Sequence, residues 1–377
     1  MATILILGGY GYTGRLLARH LLEQSGARIV LAARHLEKVQ AYASQLNTEF
    51  NGERVSAVRT DAADMQSLRE ALRDIDLLLV AAPTTQYVEI VIRTALDSGV
   101  DYLDVQLGAR KLALLKSLAP DIERAGRCFI TEAGFHPGLP SAMIRYAASQ
   151  LDRVDTAITA AYLAYLNMGK KMPYSEAVDE LMEVFRDYQA EVFKSGRWTK
   201  TGWFEFDVRK VSFGGEIGVR QCYSMFFEEL RALPEIYPTL KDVGFYISGS
   251  HWFVDWVITP LAMVGLKIAP RYAIRPMGKL VWWGMQTFPK PPYLVLLKVE
   301  AAGEKRGKPA KVEASVSHPD GYELTAIPVV AALLQYLDGP ARRPGLWMMG
   351  HLVEPVRLFE DMKRMGIQVT TVITQDQ

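Results

Sequence analysis

The sequence predicts an α/β protein in which a doubly wound parallel Rossmann sheet is followed by a second, α+β domain. Three observations support this prediction. In residues 1–150, six short apolar runs alternate with segments of helical periodicity, the pattern of βαβ units in a parallel sheet. A glycine-rich turn follows the first of these runs. Beyond Val154 the pattern changes to strands that would carry one exposed face.

The apolar runs predict strands, and the segments between them predict helices with one buried face. The predicted strands are residues 3–7, 29–33, 55–59, 77–81, 102–105 and 128–131. The predicted helices are residues 15–24, 36–46, 65–72, 87–96 and 112–124, followed by a helix from Gly138 to about Gln150. We therefore expect a nucleotide-binding domain at 1–150 and a domain for substrate binding and dimerisation at 151–322.

Composition narrows the classes of function. The chain has 377 residues, of which 49% are apolar and 23% charged, as in a globular protein of two domains. Its 43 basic and 42 acidic residues give a net charge of +1, which argues against a nucleic-acid partner. Cys128 and Cys222 lack metal-ligand spacing, so no metal site is predicted, and buried free thiols in a reducing compartment are expected.

Two apolar segments bear on location. Residues 4–7 follow no basic residue and end at glycines, so no signal peptide is predicted and a cytoplasmic protein is expected. Residues 252–270 are also strongly apolar, but Asp255, Pro260 and Lys267 interrupt them. The longest uncharged run, 256–266, is about half of the ~20 residues that a membrane-spanning helix needs. No transmembrane helix is predicted there.

The turn after the first strand has the spacing of a dinucleotide-binding loop. Gly9, Gly11 and Gly14 form G-x-G-x-x-G between a strand and a helix, the context in which this motif is informative. Glycine permits the tight turn, lets the backbone approach a pyrophosphate, and lets the helix pack closely on the strand. The helix N-terminus then offers N–H groups to the phosphates. Tyr12 and Thr13 belong to the same loop.

The residue that follows the second strand predicts which cofactor binds. NAD enzymes place a carboxylate there for the ribose 2′-hydroxyl, whereas this chain has Arg34, 20 positions after Gly14. A guanidinium suits a 2′-phosphate, and Lys38, one helical turn further on, would add a second charge. The sequence therefore predicts NADP(H). Asp61, just past the third strand, would either contact the adenine amino group or cap the following helix.

These features resemble the saccharopine dehydrogenase-like family, which includes the saccharopine reductases. The resemblance is weaker between residues 155 and 320 and rests on segments at both ends of the chain: 9–14, 33–38, 82–83, 102–104, 134–138 and 324–328, with Gly339 and Gly345. It implies NADP-dependent hydride transfer, often to an imine formed from an amino acid and a carbonyl compound. It also implies that the helical segment 323–350 packs back on the nucleotide domain.

Two positions depart from the pattern of the imine-reducing relatives. Those relatives tend to have Asp in place of His136, and a Gly-Glu pair in place of Gln106-Leu107-Gly108. Both departures bear on the substrate rather than on the cofactor.

Strand order predicts the residues beside the cofactor, because ligands of an open α/β sheet lie at the carboxyl ends of its strands. The nucleotide channel is expected to include Ala82, Pro83, Asp104 and Val105. His136 follows the sixth strand and is the candidate for proton transfer, since the ordinary pKa of histidine lies near neutrality. Its alternative role is to shape the Pro-Gly turn.

Two residues of the second domain are candidates for substrate contact. Arg220 could clamp a substrate carboxylate, and Tyr223 is a further donor on the same segment. For both, packing is the alternative role. Residues 252–288 suggest a different contact, because they interleave tryptophans with basic residues: Trp252, Trp256, Lys267, Arg271, Arg275, Lys279, Trp282 and Trp283. This pattern favours a membrane surface, an apolar pocket, a dimer interface or a core.

The sequence as a whole favours an NADP(H)-dependent oxidoreductase acting on a C–N bond of a small, amino-acid-derived substrate. Two alternatives stay open. One is reduction of a C=C bond in a lipid-like acyl chain, and the other is a non-catalytic NADP-binding sensor or membrane-associated scaffold. We expect a homodimer, with peripheral membrane contact through 252–288 as a further option.

Overall fold

The computed structural model describes residues 1–164, 174, 176–186, 191–200, 207–249 and 251–375. Its strands are β1 (Thr3–Leu7), β2 (Arg28–Ala33), β3 (Val55–Arg59), β4 (Leu77–Val80), β5 (Asp101–Asp104), β6 (Cys128–Thr131), β7 (Arg153–Leu163), β8 (Glu191–Lys194), β9 (Arg197–Lys200), β10 (Val208–Ser212), β11 (Val219–Met225), β12 (Asp242–Ser248), β13 (Val295–Lys305), β14 (Lys308–His318), β15 (Gly345–Met348) and β16 (Gln368–Gln375).

The α-helices are α1 (Tyr12–Gln24), α2 (Leu36–Glu49), α3 (Met65–Ala71), α4 (Val88–Asp97), α5 (Ala109–Arg124), α6 (Leu139–Ala148), α7 (Glu176–Arg186), α8 (Leu233–Ile236), α9 (Thr259–Ile268), α10 (Ile274–Thr287), α11 (Glu323–Leu337), α12 (Met349–Leu352) and α13 (Pro355–Arg364). A π-helical turn, Val254–Ile258, leads into α9.

The first of two compact units comprises Met1–Leu139 and Tyr322–Met365. It holds a seven-stranded sheet in the order β15-β6-β5-β4-β1-β2-β3, and every pairing in it is parallel. The chain begins at the central strand β1 and adds β2 and β3 on one side. It then crosses to the other side of β1, where β4, β5, β6 and finally β15 follow in order. This is the doubly wound order of a dinucleotide-binding sheet, so the predicted fold class is confirmed.

The central strands are buried on both faces because helices cover both sides of the sheet. β1 and β4 are continuous apolar runs whose side chains are almost entirely buried. On one face, residues of these strands pack with α3, α4 and α5 in a single apolar cluster that contains Leu5, Leu78, Val91, Leu115 and Phe129. The apolar runs that predicted the strands are thus the core of this unit.

The sheet has a seventh strand that the sequence did not predict. β15 lies within the segment 323–350 that was expected to be helical, and it pairs with the edge strand β6. Only α11 and the short α12 are helical there. The sequence did not predict this strand because its four residues are all half-buried. Apolar and polar residues therefore do not alternate along it, and it has no continuous buried apolar run.

Helix α11 belongs to the first unit and is fixed there by polar contacts at both ends. At its start, the Oε2 of Glu323 lies 2.7 Å from the Nε2 of His20 in α1. Near its end, the Tyr336 hydroxyl donates to the Oδ2 of Asp101 at 2.6 Å. Gln335 and the backbone of Glu354 exchange two hydrogen bonds.

The first division of the chain falls after Leu139, whereas the predicted domain boundary was at 150. Helix α6 belongs to the second unit, where the Ser141 hydroxyl donates to the carboxylate of Glu229 and the Tyr146 hydroxyl lies 3.0 Å from that of Thr371. The apolar face of α6 predicts a buried helix but not the unit against which it packs.

The second unit is built on a mixed sheet in the order β10-β11-β12-β7-β13-β14-β16, with β8 pairing to β12 and β9 to β8. β7 and β12 are parallel and the other pairs are antiparallel. A separate group of helices, α7, α9 and α10, packs around its own apolar cluster, which includes Met182, Ile258 and Leu266. The second unit is therefore α+β, as predicted.

Candidate active site and cofactor site

The glycine loop between β1 and α1 is held by contacts too close for most side chains. A β-carbon on Gly8, whose φ is +88°, would lie 2.7 Å from the β-carbon of Ala82. One on Gly9 would lie 2.9 Å from the Cδ2 of Leu31, and one on Gly14 would overlap the Gly8 carbonyl oxygen. The packing of the protein itself therefore requires glycine at 8 and 14.

Gly11 differs from these glycines because neither packing nor backbone conformation demands it. Its φ of −64° and ψ of 163° lie in the extended region that other residues adopt readily. Among the described atoms, a β-carbon here would meet only the Gly8 carbonyl oxygen, at 3.2 Å. Gly11 is also the N-cap of α1 and supplies no side-chain cap. The open backbone at a helix N-terminus fits a pyrophosphate.

The two predicted cations stand where the second strand ends. Arg34 directly follows β2, Lys38 lies in the first turn of α2, and both are exposed. Within the part of the chain that the structure describes, neither forms an ion pair with a carboxylate. Two exposed charges that the protein does not neutralise fit the 2′-phosphate of NADP(H).

Asp61 does not cap the helix that follows it, so one of its two predicted roles is wrong. The cap of α3 is Asp64, whose side chain accepts from the backbone N–H groups of Gln66 and Ser67. Asp61 instead accepts from the N–H of Ala63 at 3.0 Å, and its own N–H donates to the Ser67 hydroxyl at 3.1 Å. Its exposed position leaves a contact with adenine as the remaining prediction.

Gln106 joins the loops that follow β4 and β5. Its buried Nε2 donates to the Ala82 carbonyl at 2.8 Å and to the Thr84 hydroxyl at 3.0 Å. The Gln106 side chain therefore fixes the position of the Ala82-Pro83 turn. Gln106 belongs to the segment in which imine-reducing relatives tend to have a Gly-Glu pair. Sequence reasoning noted the departure at Gln106 but had no signal for this bridge.

The carboxylate of Asp104 is buried among protein groups, so the predicted contact of this residue with the cofactor stays a prediction for its backbone. Its side chain is 0% exposed. Its oxygens accept from Lys111 Nζ at 2.5 Å, from the Thr131 hydroxyl at 2.8 Å and from the N–H of Gln106 at 3.0 Å. Lys111 also donates to the Gln106 carbonyl. This buried ion pair fixes the loop that follows β5, which includes Val105.

His136 lies in a tight loop between β6 and α6. A β-carbon on Gly134, whose φ is +138°, would lie 3.2 Å from the Cγ2 of Thr325, and one on Gly138, with φ +119°, would lie 2.8 Å from the carbonyl oxygen of Glu132. Desolvation lowers the pKa of His136 to about 4, so its imidazole is neutral at pH 7. The expectation of a pKa near neutrality is wrong for this environment.

Arg220 and Tyr223 do not form one site, because β11 places them on opposite faces of its sheet. They are three residues apart on a strand whose side chains alternate. The Arg220 guanidinium lies 5.8 Å from the ring centroid of Tyr162, and its Nε donates to the Ile217 carbonyl at 3.0 Å. Tyr223 instead lies against Trp256, with ring centroids 6.4 Å apart. Contact with a substrate therefore stays a separate prediction for each residue.

Comparison with known proteins shows which family the nucleotide unit resembles. Residues 4–129 match the family model described as the saccharopine dehydrogenase NADP binding domain. The chain resembles the saccharopine dehydrogenases in its nucleotide unit. It is therefore an NADP-dependent oxidoreductase, and the cofactor predicted from Arg34 is confirmed.

Curated relatives extend the saccharopine dehydrogenase-like match into the second unit. The chain is 25% identical to carboxynorspermidine synthase of Vibrio cholerae, over 90% of this chain and 89% of that protein. It is 23% identical to carboxyaminopropylagmatine dehydrogenase of Synechocystis, over 68% of this chain and 64% of that protein.

A solved structure shows the same fold. Saccharopine dehydrogenase (L-Glu forming) of Saccharomyces cerevisiae matches with a TM-score of 0.68 at 14% identity, over 99% of this chain and 100% of that chain. Within the described residues, no helix combines the length and apolarity that crossing a membrane requires.

Proposed function

We propose that this saccharopine dehydrogenase-like protein reduces a C=N bond, formed between an amine and a carbonyl compound, to a secondary amine that carries a carboxylate. The observation that carries the proposal is the pair of curated relatives, whose names both denote carboxylated polyamines. The first of them aligns along nine-tenths of both chains, so the likeness includes the second unit and not only the cofactor domain.

The reaction needs a hydride and a proton. Bound NADPH would supply a hydride for the imine carbon, and a proton would add to the nitrogen, so that the products would be a secondary amine and NADP⁺. The residues of the first unit would hold the cofactor: the loop at Gly11 for the pyrophosphate, and Arg34 with Lys38 for the 2′-phosphate. His136, neutral at pH 7, would orient or relay the proton rather than donate it as an imidazolium.

Turnover tests the proposal directly. The full chain is incubated with NADPH and with mixtures of a diamine and a carboxylated aldehyde, and NADPH oxidation is followed together with the mass of the product. Formation of the reduced secondary amine supports the proposal. Turnover of enoyl thioesters without turnover of imines would replace C=N by C=C reduction, and tight NADPH binding without turnover of either class would leave a sensor or scaffold.

Arg34→Asp is expected to weaken NADPH binding by about 10- to 150-fold and to change NADH binding far less. The range follows from losing one charge-assisted contact with the 2′-phosphate, roughly 1.5–3 kcal/mol. Titration of both cofactors gives the ratio of dissociation constants. The matched control is Arg28→Asp, an exposed arginine at the opposite end of β2, which should leave the ratio unchanged. Equal affinities for NADPH and NADH in the unmodified protein would contradict the assignment.

A further inference from the structure

One face of the helical group in the second unit is apolar and exposed. The exposed side chains include Trp252 (65%), Ile268 (78%) and Tyr272 (85%). We define the apolar ridge as the exposed aromatic and aliphatic residues of this region: Trp252, Trp256, Val257, Leu261, Val264, Ile268, Tyr272 and Trp283. The number of these residues within one stretch of the chain distinguishes them from the single exposed apolar residues that occur on most surfaces.

The ridge is not the core of the second unit. Helix α9 and the π-helical turn bury a different set of side chains, including Val254, Ile258 and Leu266, in the cluster that they form with α7 and α10. The remaining apolar residues Val257, Leu261, Val264 and Ile268 recur every three or four residues, which is one face of a helix. Helix α9 is therefore apolar on two faces, and the packing within this unit uses one of them.

The surroundings of the ridge are basic. Residues 252–288 contain four basic residues and one acidic residue, Asp255, whereas the whole chain has a net charge of +1. Arg271, Arg275 and Lys279 are exposed, and within the described residues none of the three forms an ion pair. On α10, Arg275, Lys279 and Trp283 follow one another at four-residue spacing, so cations and an exposed aromatic share one helical face.

We propose that the apolar ridge binds the surface of a membrane that contains anionic lipids. Tryptophans and aliphatic side chains would enter the boundary between headgroups and acyl chains while the cations contact anionic headgroups. A second copy of this chain fits less well, because a two-fold interface through the ridge would bring together two copies of the same basic surface. The charge of the surface thus selects among the partners that an apolar face could have.

Vesicle flotation tests the proposal on the full chain with its cofactor bound. The protein should float with vesicles of phosphatidylcholine and phosphatidylglycerol at low salt, and less as phosphatidylglycerol is withdrawn or salt is added. Leu261→Glu or Ile268→Glu should abolish flotation. Arg271→Gln and Lys279→Gln should each weaken it about fivefold, from roughly 1 kcal/mol per basic residue at an anionic surface. The control is Val219→Glu, an exposed apolar residue outside the ridge.

Two results would overturn the membrane proposal. One is absence of flotation at low salt. The other is a dimer in light scattering, without vesicles, that Ile268→Glu converts to a monomer, since a second copy would then cover the ridge. NADPH binding measured on the same variants shows that they are folded, and it separates this proposal from the proposed reaction.

An independent observation concerns Arg15, a residue of α1 that the sequence analysis did not single out. Its guanidinium carbon lies 3.9 Å from the ring centroid of Tyr10 and 4.9 Å from that of Tyr42, and its Nε donates to the Tyr10 carbonyl at 3.0 Å. The described part of the chain provides it with no carboxylate partner. One turn further along α1, by contrast, Arg19 pairs with Glu23 and Glu49.

Arg15 contacts the helix that carries Lys38, one of the two cations expected at the 2′-phosphate. Tyr42, which its guanidinium contacts, is one helical turn from Lys38 on the same face of α2, and Arg34 precedes that helix. Tyr10, its other contact, belongs to the glycine loop. We infer that Arg15 is a third cation for the 2′-phosphate, held in place by the two tyrosine rings. This inference rests on the NADP(H) site described above.

Ligands that differ only in the 2′-phosphate test the inference without turnover. Arg15→Gln should weaken 2′,5′-ADP about tenfold or more, from the loss of one charge-assisted contact, and leave 5′-ADP nearly unchanged. Arg19→Gln is the control at the next turn, and Tyr42→Phe, which keeps the ring, should retain the preference. Equal weakening of both ligands, or of neither, in Arg15→Gln would overturn the inference. If Arg34→Asp loses the preference for 2′,5′-ADP while Arg15→Gln keeps it, the inference about Arg15 fails and the NADP(H) site at Arg34 still stands.

Discussion

Gly11→Val is expected to abolish NADPH binding while the protein stays folded. The structure explains both why binding should be lost and why the fold should be kept. The backbone at Gly11 is in an extended conformation that valine adopts readily, and within the described residues a β-carbon there meets one carbonyl oxygen at 3.2 Å. A pyrophosphate bound at the N-terminus of α1 would approach the backbone where the side chain must go.

The expected loss is at least about 100-fold in affinity, since two charge-assisted contacts with backbone N–H groups would be lost at roughly 1.5 kcal/mol or more each. Fluorescence titration with NADPH measures it, and circular dichroism with thermal unfolding checks the fold. Gly14→Ala is the informative contrast: its β-carbon would overlap the Gly8 carbonyl oxygen, so this variant should lose stability as well as binding. Retention of tight NADPH binding by Gly11→Val would show that the loop is only a turn.

The parts of the fold that the sequence predicted are those whose signal is local. β1, β3 and β6 begin and end at the predicted residues. For β1 and β6 the reason is that a strand buried on both faces needs an almost unbroken apolar run. Helix α1 begins at Tyr12 rather than at the predicted Arg15, since the apolar periodicity starts a turn later than the backbone hydrogen bonds.

What the sequence could not predict depends on partners distant along the chain. Asp104 is a polar residue at the end of a strand, which in this fold predicts ligand contact. The structure shows instead that Lys111 and Thr131 occupy its carboxylate. Arg220 and Tyr223 lie close in sequence and were grouped for that reason. They lie on opposite faces because residues 219–225 form a strand rather than a helix. Periodicity over seven residues does not settle that choice.

His136→Asn is expected to make the protein less sensitive to acid, a result that needs no substrate. The pKa of His136 is lowered to about 4 in the folded protein, against about 6.5 in the unfolded chain. Between these values the unfolded state binds more protons, so stability is fully present above pH 6.5 and falls as the pH drops toward 4. The loss attributable to this residue should approach about 3 kcal/mol.

Denaturant unfolding of the unmodified protein and of His136→Asn across pH 4–7 measures this difference, with the exposed His35→Asn as control. If the two unfolding free energies change in parallel with pH, His136 is not held neutral by burial. A role in proton transfer makes a second, separate demand. Once a substrate is found, His136→Asn should lower turnover by about 100- to 10,000-fold with NADPH affinity nearly unchanged.

The pH dependence of turnover then separates proton transfer from a role in shaping the turn. With its pKa lowered to about 4, His136 should contribute no limb near neutrality to the unliganded enzyme's kcat/KM profile, and the activity that depends on the neutral imidazole should fall only toward pH 4. His136→Asp is the sharper probe, because imine-reducing relatives tend to have Asp at this position. If it supports turnover as well as the unmodified protein does, a carboxylate suffices and no role remains that requires histidine.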